Sequence, residues 1–150
     1  MITYKTGDIF KEKTEAIVNP VNCVGVAGAG LALAFRKKYP SWYDEYRHIC
    51  KEGLMKPGQV LVFRTTSGPQ PRTIISVPTK RHYRDKSKLG DIEIGVKGIS
   101  MCLDEYNIHS VSIPALGCGL GGLDWSVVRP IMENKFREHE YKHIVIFEPR

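Results

Sequence analysis

From Ile2 to Lys5 apolar and polar residues alternate before Gly7-Asp8, which predicts a short strand closed by a turn. The apolar run Ala16-Ile17-Val18 leading into Asn19-Pro20 predicts a second strand over Ala16–Pro20. Helix formers from Leu31 to Phe35 follow the glycine-rich Gly25–Gly30 and stop at Tyr39-Pro40. Ser41 is placed to cap a further helix running to Lys51, with Gly53 beyond its end. The β-branched runs Val60–Phe63 and Thr73–Val77, separated by a turn at Gly68-Pro69, predict a hairpin. Pro78–Leu89 is dense in Lys, Arg and His and has no apolar period, which predicts a basic loop. Ile92, Val96, Ile99 and Leu103 recur at helical spacing, so Asp91–Tyr106 predicts an amphipathic helix. Ser110–Ile113 predicts a buried strand, Trp125–Glu138 a helix containing Pro130, and His143–Phe147 the last strand.

Strands alternating with helices predict an α/β fold around a mostly parallel sheet, and the hairpin makes that sheet mixed. With 150 residues, 42% hydrophobic and 25% charged, residues 1–150 are expected to form one packed domain without staples. No apolar stretch approaches a membrane span, and the opening residues do not read as a signal peptide. Cys23, Cys50, Cys102 and Cys118 are scattered without metal spacing, so reduced thiols and a cytoplasmic setting are expected. Lys and Arg outnumber Asp and Glu by 22 to 16, a net +6, which favours anionic partners such as nucleotides or nucleic acid.

The chemistry concentrates at strand ends. Gly117-Cys118-Gly119-Leu120-Gly121-Gly122 follows a strand and precedes a helix, so its backbone N–H groups can converge on an anion beside a helix N-terminus. The spacing satisfies G-x-G-x-x-G, yet it lies near the end of the chain, where a dinucleotide-binding Rossmann unit does not put it. Gly25–Gly30, behind Asn19-Pro20-Val21-Asn22, is a second junction of the same kind. Two such loops suit a ligand with two phosphates, or a phosphate and a ribose. Asn22 can bond hydroxyls through an amide that both donates and accepts, and Asp8 can take an exocyclic amine or simply cap a turn.

His139-Glu140-Tyr141-Lys142-His143 matches H-E-x-x-H, but the helix is ending there and the two rings would not converge, so no metal site is expected. Lys80 follows a strand end and is expected to project into the pocket. Arg81, His82, Tyr83 and Arg84 beside it offer phosphate contacts and stacking faces for a nucleobase.

Gly7-Asp8-Ile9, the run from Asn19 through Cys23 to Val26, Pro78-Thr79-Lys80, and Pro114 through Gly117 to Leu123 together resemble the macrodomain family, over the whole chain from Met1 to Arg150. Within it the chain is most similar to the DarG-type antitoxin branch, related to the terminal ADP-ribose protein glycohydrolase. The resemblance implies a three-layer α/β/α fold that binds ADP-ribose and needs no cofactor. It implies that Asp8 and Ile9 hold the adenine and that Gly117, Cys118, Gly119, Leu120, Gly121 and Gly122 cradle the diphosphate. Asn22, Gly28 and Gly30 would border the distal ribose, with Lys80 the catalytic residue beside its C1″.

The branch removes ADP-ribose that a partner toxin, DarT, attaches to thymidine in single-stranded DNA, and the basic loop Arg81–Lys88 fits that substrate. Two rivals stand beside this expectation: hydrolysis of ADP-ribosylated protein, and a reader that binds ADP-ribose without cleaving it. The protein-directed relative pairs its lysine with an aspartate in a Gly-Leu-Asp context. Here Gly121 stands in its place, with Asp124 three residues on. DarG antitoxins also carry a further domain after the macrodomain. Lys80 would act either as an amine attacking C1″ or as an ammonium stabilising the departing base.

Overall fold

A computed structural model describes residues 1–65 and 72–149. In them the chain runs β1 (Ile2–Lys5), β2 (Ala16–Asn22), α1 (Gly30–Lys38), α2 (Pro40–Lys51), β3 (Leu61–Arg64), β4 (Thr73–Lys80), α3 (Leu89–Glu105), β5 (Ser110–Pro114), α4 (Trp125–Phe136) and β6 (His143–Phe147). The described residues form a six-stranded sheet in the order β1-β6-β5-β2-β4-β3. All its neighbours are parallel except β3 and β4, the expected antiparallel hairpin. The turn expected at Gly68-Pro69 lies outside the described residues.

Alternation along the strands sets the three layers. Ile17, Val21, Ile74 and Val145 point to one face, where Phe35 of α1 and Trp42 and Tyr46 of α2 bury against them. Val18, Ile75, Val111 and Ile113 point to the other, against Ile92, Val96, Ile99 and Leu103 of α3 and Val128, Met132 and Phe136 of α4. The helical spacing read in α3 is therefore the stripe that the sheet covers.

Several boundaries differ from expectation, each for a local reason. α2 begins at Pro40 with Tyr39 as its cap residue, so Ser41 sits inside the first turn and caps nothing. Proline's fixed φ and missing N–H suit that opening position. α4 ends at Phe136, and a 3-10 turn, Arg137–His139, takes over its last residues. Pro130 lies inside α4.

β2 and β4 run past the prolines that were expected to stop them, to Asn22 and Lys80. Their parallel pairing continues through Val21 opposite Pro78, then shifts register so that Asn22 faces Lys80. β2 pairs with β5 only at Ala16 and Ile17. Past that point the two strands part, and Pro20, which has no N–H to offer, falls where the ladder to β5 has already ended. The gap opens at the carboxyl ends of β2, β4 and β5, the switch point where α/β sheets hold their ligands.

Candidate active site

A cavity of about 570 Å³ fills this gap, inside the range of roughly 300–1,000 Å³ usual for small-molecule sites. Asn22, Gly28, Gly30, Lys80, Tyr83, Gly117, Gly119, Leu120 and Gly121 all line it, so both glycine loops and the end of β4 meet as expected. Thr79, Val26, Ala29, Leu31 and Ala32 line it too. Thr79 and Val26 belong to the motifs that carry the family resemblance, whereas Ala29, Leu31 and Ala32 gave no chemical signal in the sequence.

The first loop is built around Asn22. Its Nδ2 donates to Val26 O at 2.7 Å, and its Oδ1 accepts from Val24 N at 3.0 Å and from the Tyr46 hydroxyl at 2.9 Å. The same hydroxyl is 2.8 Å from Asn22 O. Burial pushes the Tyr46 phenol well above its usual pKa, so it stays a donor. Asn22 therefore spends its acceptor on shaping the loop and keeps one amide N–H for a ligand. Tyr46, which carries no signal of its own in the sequence, is the support.

The loop delivers the chain into α1 at Gly30, and the cap residue Ala29 offers no side-chain bond to the first-turn N–H groups. Those donors and the positive end of the dipole remain open to an anion. The second loop differs. The N-terminus of α4 is already closed by Asp124, whose Oδ1 accepts from Ser126 N and Ser126 Oγ, both at 2.9 Å. Those bonds hold the Asp124 carboxyl below its ordinary pKa. The helix end available to a phosphate thus belongs to the Gly25–Gly30 loop, and the expectation for Gly117–Gly122 is corrected on that point.

Within the second loop Gly117 has φ +74°, and a Cβ there would lie 2.9 Å from both Ile92 and Leu123. Gly121 is closed more tightly. A Cβ on it would stand 2.2 Å from Ser87 Oγ and 2.6 Å from Gly117 O. A carboxylate at this position is not merely missing: there is no room for a side chain. Ser87 N donates to Gly121 O at 3.0 Å, and the Ser87 hydroxyl is buried with no partner among the described residues. Leu120 reaches across the mouth until its Cδ1 is 3.4 Å from where a Gly30 Cβ would sit, so the two loops touch above the cavity.

Lys80 ends β4 opposite Asn22, and its Nζ donates to Tyr83 O at 3.0 Å. Tyr83 lines the cavity, stacks on His82 at 4.2 Å between ring centres, and carries the Arg84 guanidinium 5.4 Å from its ring. Arg81 turns away. Its Nε and Nη2 bond the two carboxylate oxygens of buried Asp91 at 3.1 and 3.2 Å, which raises the guanidinium pKa further. This fork fastens the basic loop to α3, so Arg81 is an anchor and not the free phosphate contact its neighbours suggested.

The remaining expected residues lie outside the cavity lining. Asp8 accepts from Phe10 N at 2.9 Å as the cap of a 3-10 turn, its plainer alternative, and Ile9 is buried in the core under α1. Cys118 is half-buried, its thiol pushed up to about 11 by burial. Gly122 lies beside Lys86, whose Nζ would be 3.5 Å from a Cβ at that position. Of the H-E-x-x-H residues, His139 is buried against Ser100 Oγ at 2.6 Å, while His143 opens β6. No helix among the described residues is long and apolar enough to cross a membrane.

Residues 18–132 match the model of the macro domain family. The chain is 42% identical over 149 residues to the DNA ADP-ribosyl glycohydrolase of Mycobacterium tuberculosis, covering 99% of this chain and 42% of the relative. It is 32% identical over 141 residues to a DNA ADP-ribosyl transferase-DNA ADP-ribosyl glycohydrolase fusion protein of Thermosipho africanus, covering 84% of this chain and 36% of the fusion. The chain thus spans about two fifths of the length of the curated relatives it matches. Among solved structures, the macrodomain of Mycobacterium tuberculosis DarG superposes with a TM-score of 0.96 at 42% identity, over 100% of this chain and 99% of that one. Thermosipho africanus DarTG in complex with ADP-ribose superposes with a TM-score of 0.91 at 31% identity, over 99% of this chain and 41% of that one. By sequence and by fold alike, the chain belongs to the macrodomain family.

Proposed function

We propose that the protein is an ADP-ribosyl glycohydrolase that removes ADP-ribose from a nucleobase, thymidine, in single-stranded DNA. The observation that carries this reading is Lys80 at the end of β4, lining the same cavity as two glycine loops and an uncapped helix N-terminus. The high similarity to relatives named for that activity, and to a DarTG structure holding ADP-ribose, supports it.

In this reading the Gly117–Gly122 backbone and the α1 N-terminus hold the diphosphate, and Asn22, Gly28 and Gly30 border the distal ribose. The adenine would extend beyond the cavity lining to the turn that Asp8 caps and Ile9 opens. Lys80 sits beside C1″, and Tyr83 with its stacked His82 receives the modified base. Cleavage breaks the bond between C1″ and the base nitrogen. The base leaves with the electron pair and takes up a proton, while a water oxygen bonds to C1″. Lys80 serves this as an ammonium that stabilises or protonates the departing base, or as an amine that bonds C1″ as the base leaves, the ribose ring then opening to an iminium that water hydrolyses to free the lysine. Borohydride trapping separates the two, because only the second gives a covalent adduct. The closed position at Gly121 speaks against the lysine–aspartate machinery used on protein esters.

The activity would oppose a DarT-like toxin in the cytoplasm, a setting that the four unpaired cysteines suit. The test compares ADP-ribose release from thymidine-modified oligonucleotide and from ADP-ribosylated protein. Release from the oligonucleotide is expected. Release from protein alone would transfer the site to the other substrate class, and binding of free ADP-ribose with no release from either would leave a reader.

A further inference from the structure

A second cationic and aromatic surface lies against the first glycine loop at Gly25. Tyr43 of α2 donates its hydroxyl to Gly25 O at 3.4 Å, and Arg47 packs its stem so close that a Cβ on Gly25 would be 3.5 Å from its Cα and 3.7 Å from its Cγ. The guanidinium of Arg36, from the last turn of α1, sits 4.3 Å from the Tyr43 ring centre, and that of Arg47 sits 5.4 Å from it. Beyond Arg47 a shallow groove is lined by Asp44, Arg47, His48 and Lys51. Its one carboxylate, Asp44, is 4.0 Å from Arg47 with both side chains largely exposed, a separation and setting in which the charges barely hold each other. Arg36 and Lys51 have no carboxylate partner among the described residues.

This surface adjoins the cavity through one loop. Val26 lines the cavity, its neighbour Gly25 touches Arg47 and Tyr43, and the side chains of Val24 and Val26 are exposed. Cys23 N donates to Arg81 O at 3.3 Å, so the basic segment after β4 is tied to the other end of that loop.

We propose that Arg36, Tyr43, Arg47, His48 and Lys51 form a second nucleic-acid-binding surface, which holds a single-stranded flank of the modified strand as it leaves the cavity over Val24 and Val26. The inference rests on the reading of the cavity as acting on modified DNA. Guanidiniums laid on an aromatic ring keep their N–H edges free for phosphate oxygens, and single strands are bound by cations interleaved with aromatic faces. Neither feature is needed to bind ADP-ribose. The surface adds affinity for a long substrate and does nothing for the bond that breaks.

The test measures steady-state kinetics of wild type and Arg36→Gln/Arg47→Gln on a modified trinucleotide and on a modified oligonucleotide long enough to reach α2. At about 0.7 in the salt slope per phosphate contact, losing two contacts should flatten the slope of log KM against log salt by about 1.4 for the long substrate. The same arithmetic raises its KM roughly 25-fold at 0.1 M salt. The turnover number, kcat/KM on the trinucleotide and calorimetric affinity for free ADP-ribose should stay at wild-type values. Unchanged KM on the long substrate would overturn the surface while leaving the DNA reading intact. An equal loss on both substrates would also overturn it, because the variant would then be disturbing the loop. Wild type that releases ADP-ribose from neither oligonucleotide would remove the DNA reading itself, and the surface with it.

Discussion

Gly121→Ala is the sharpest perturbation of the site, because it adds one carbon where the structure has no space. The new Cβ would meet Ser87 Oγ at 2.2 Å, Gly117 O at 2.6 Å and Gly117 C at 3.0 Å. Gly121 is not among the glycines at positive φ, so the penalty is steric and not conformational. Ser87 could rotate or shift, but the Gly117 carbonyl is backbone, so the loop itself must move. Overpacking of this kind costs typically 1–3 kcal/mol, and two of the three contacts here are with backbone, which places the variant near about 3. For a chain of this size that lowers the melting temperature by roughly 6–12 °C.

Displacing N–H groups that receive a diphosphate should cost affinity as well. Each hydrogen bond to a charged group is worth about 1.5–3 kcal/mol, so losing one weakens ADP-ribose binding about tenfold or more. Thermal unfolding and calorimetry read the two effects separately. Ser87→Gly/Gly121→Ala removes the Oγ contact and leaves that with Gly117 O, so it should recover part of the loss and not all of it. Gly121→Ala with wild-type melting temperature and wild-type ADP-ribose affinity would refute the packing argument.

Other expectations follow from the same loops. Tyr46→Phe deletes a buried hydroxyl shared between Asn22 O and Oδ1; it should destabilise by about 1–3 kcal/mol in urea titrations, since two buried oxygens lose the donor they share, and loosen ADP-ribose binding with it. Leu120→Ala opens the contact over Gly30, so it should speed ADP-ribose dissociation in stopped-flow with little change in stability, because the side chain is largely exposed. Burial raises the Cys50, Cys102 and Cys118 thiols from 9.0 to about 11. The folded state favours their neutral form, so this contribution is complete below pH 9 and is lost as pH rises towards 11. Unfolding midpoints should fall across that window, and replacing Cys102 by Ala should make the fall shallower.

Much of the α/β frame was legible because strand and helix periods differ: β6 falls on His143–Phe147 as read, and the Ile92–Leu103 stripe is the buried face of α3. The two glycine loops and Lys80 were legible because chemistry at strand ends stands out from packing. What stayed hidden depends on partners distant in sequence. Asn22 looks like a ligand contact until Tyr46 and the Val26 backbone claim its oxygen and one amide hydrogen. Arg81 looks like one more cation in a basic run until Asp91, ten residues on, takes two of its three guanidinium nitrogens. Asp124 looks like a displaced catalytic acid, whereas its work is to cap α4. The prolines misled in the other direction. They mark strand ends in isolation, but parallel pairing carried β2 and β4 past them and so put Asn22 opposite Lys80. The absence of an acid at position 121 was visible, but its cause, the Ser87 hydroxyl in that space, was not.

The most direct test is ADP-ribose release from thymidine-ADP-ribosylated single-stranded DNA by wild type and Lys80→Ala, with calorimetry of free ADP-ribose on both. Lys80 lines the cavity, but in the proposed reading the glycine loops and the α1 N-terminus hold the diphosphate, so the variant should still bind ADP-ribose while release falls by at least two orders of magnitude, the scale of a lost general acid or electrostatic stabiliser. Lys80→Ala that releases ADP-ribose at the wild-type rate would contradict the assignment, whichever of its two roles the lysine was given.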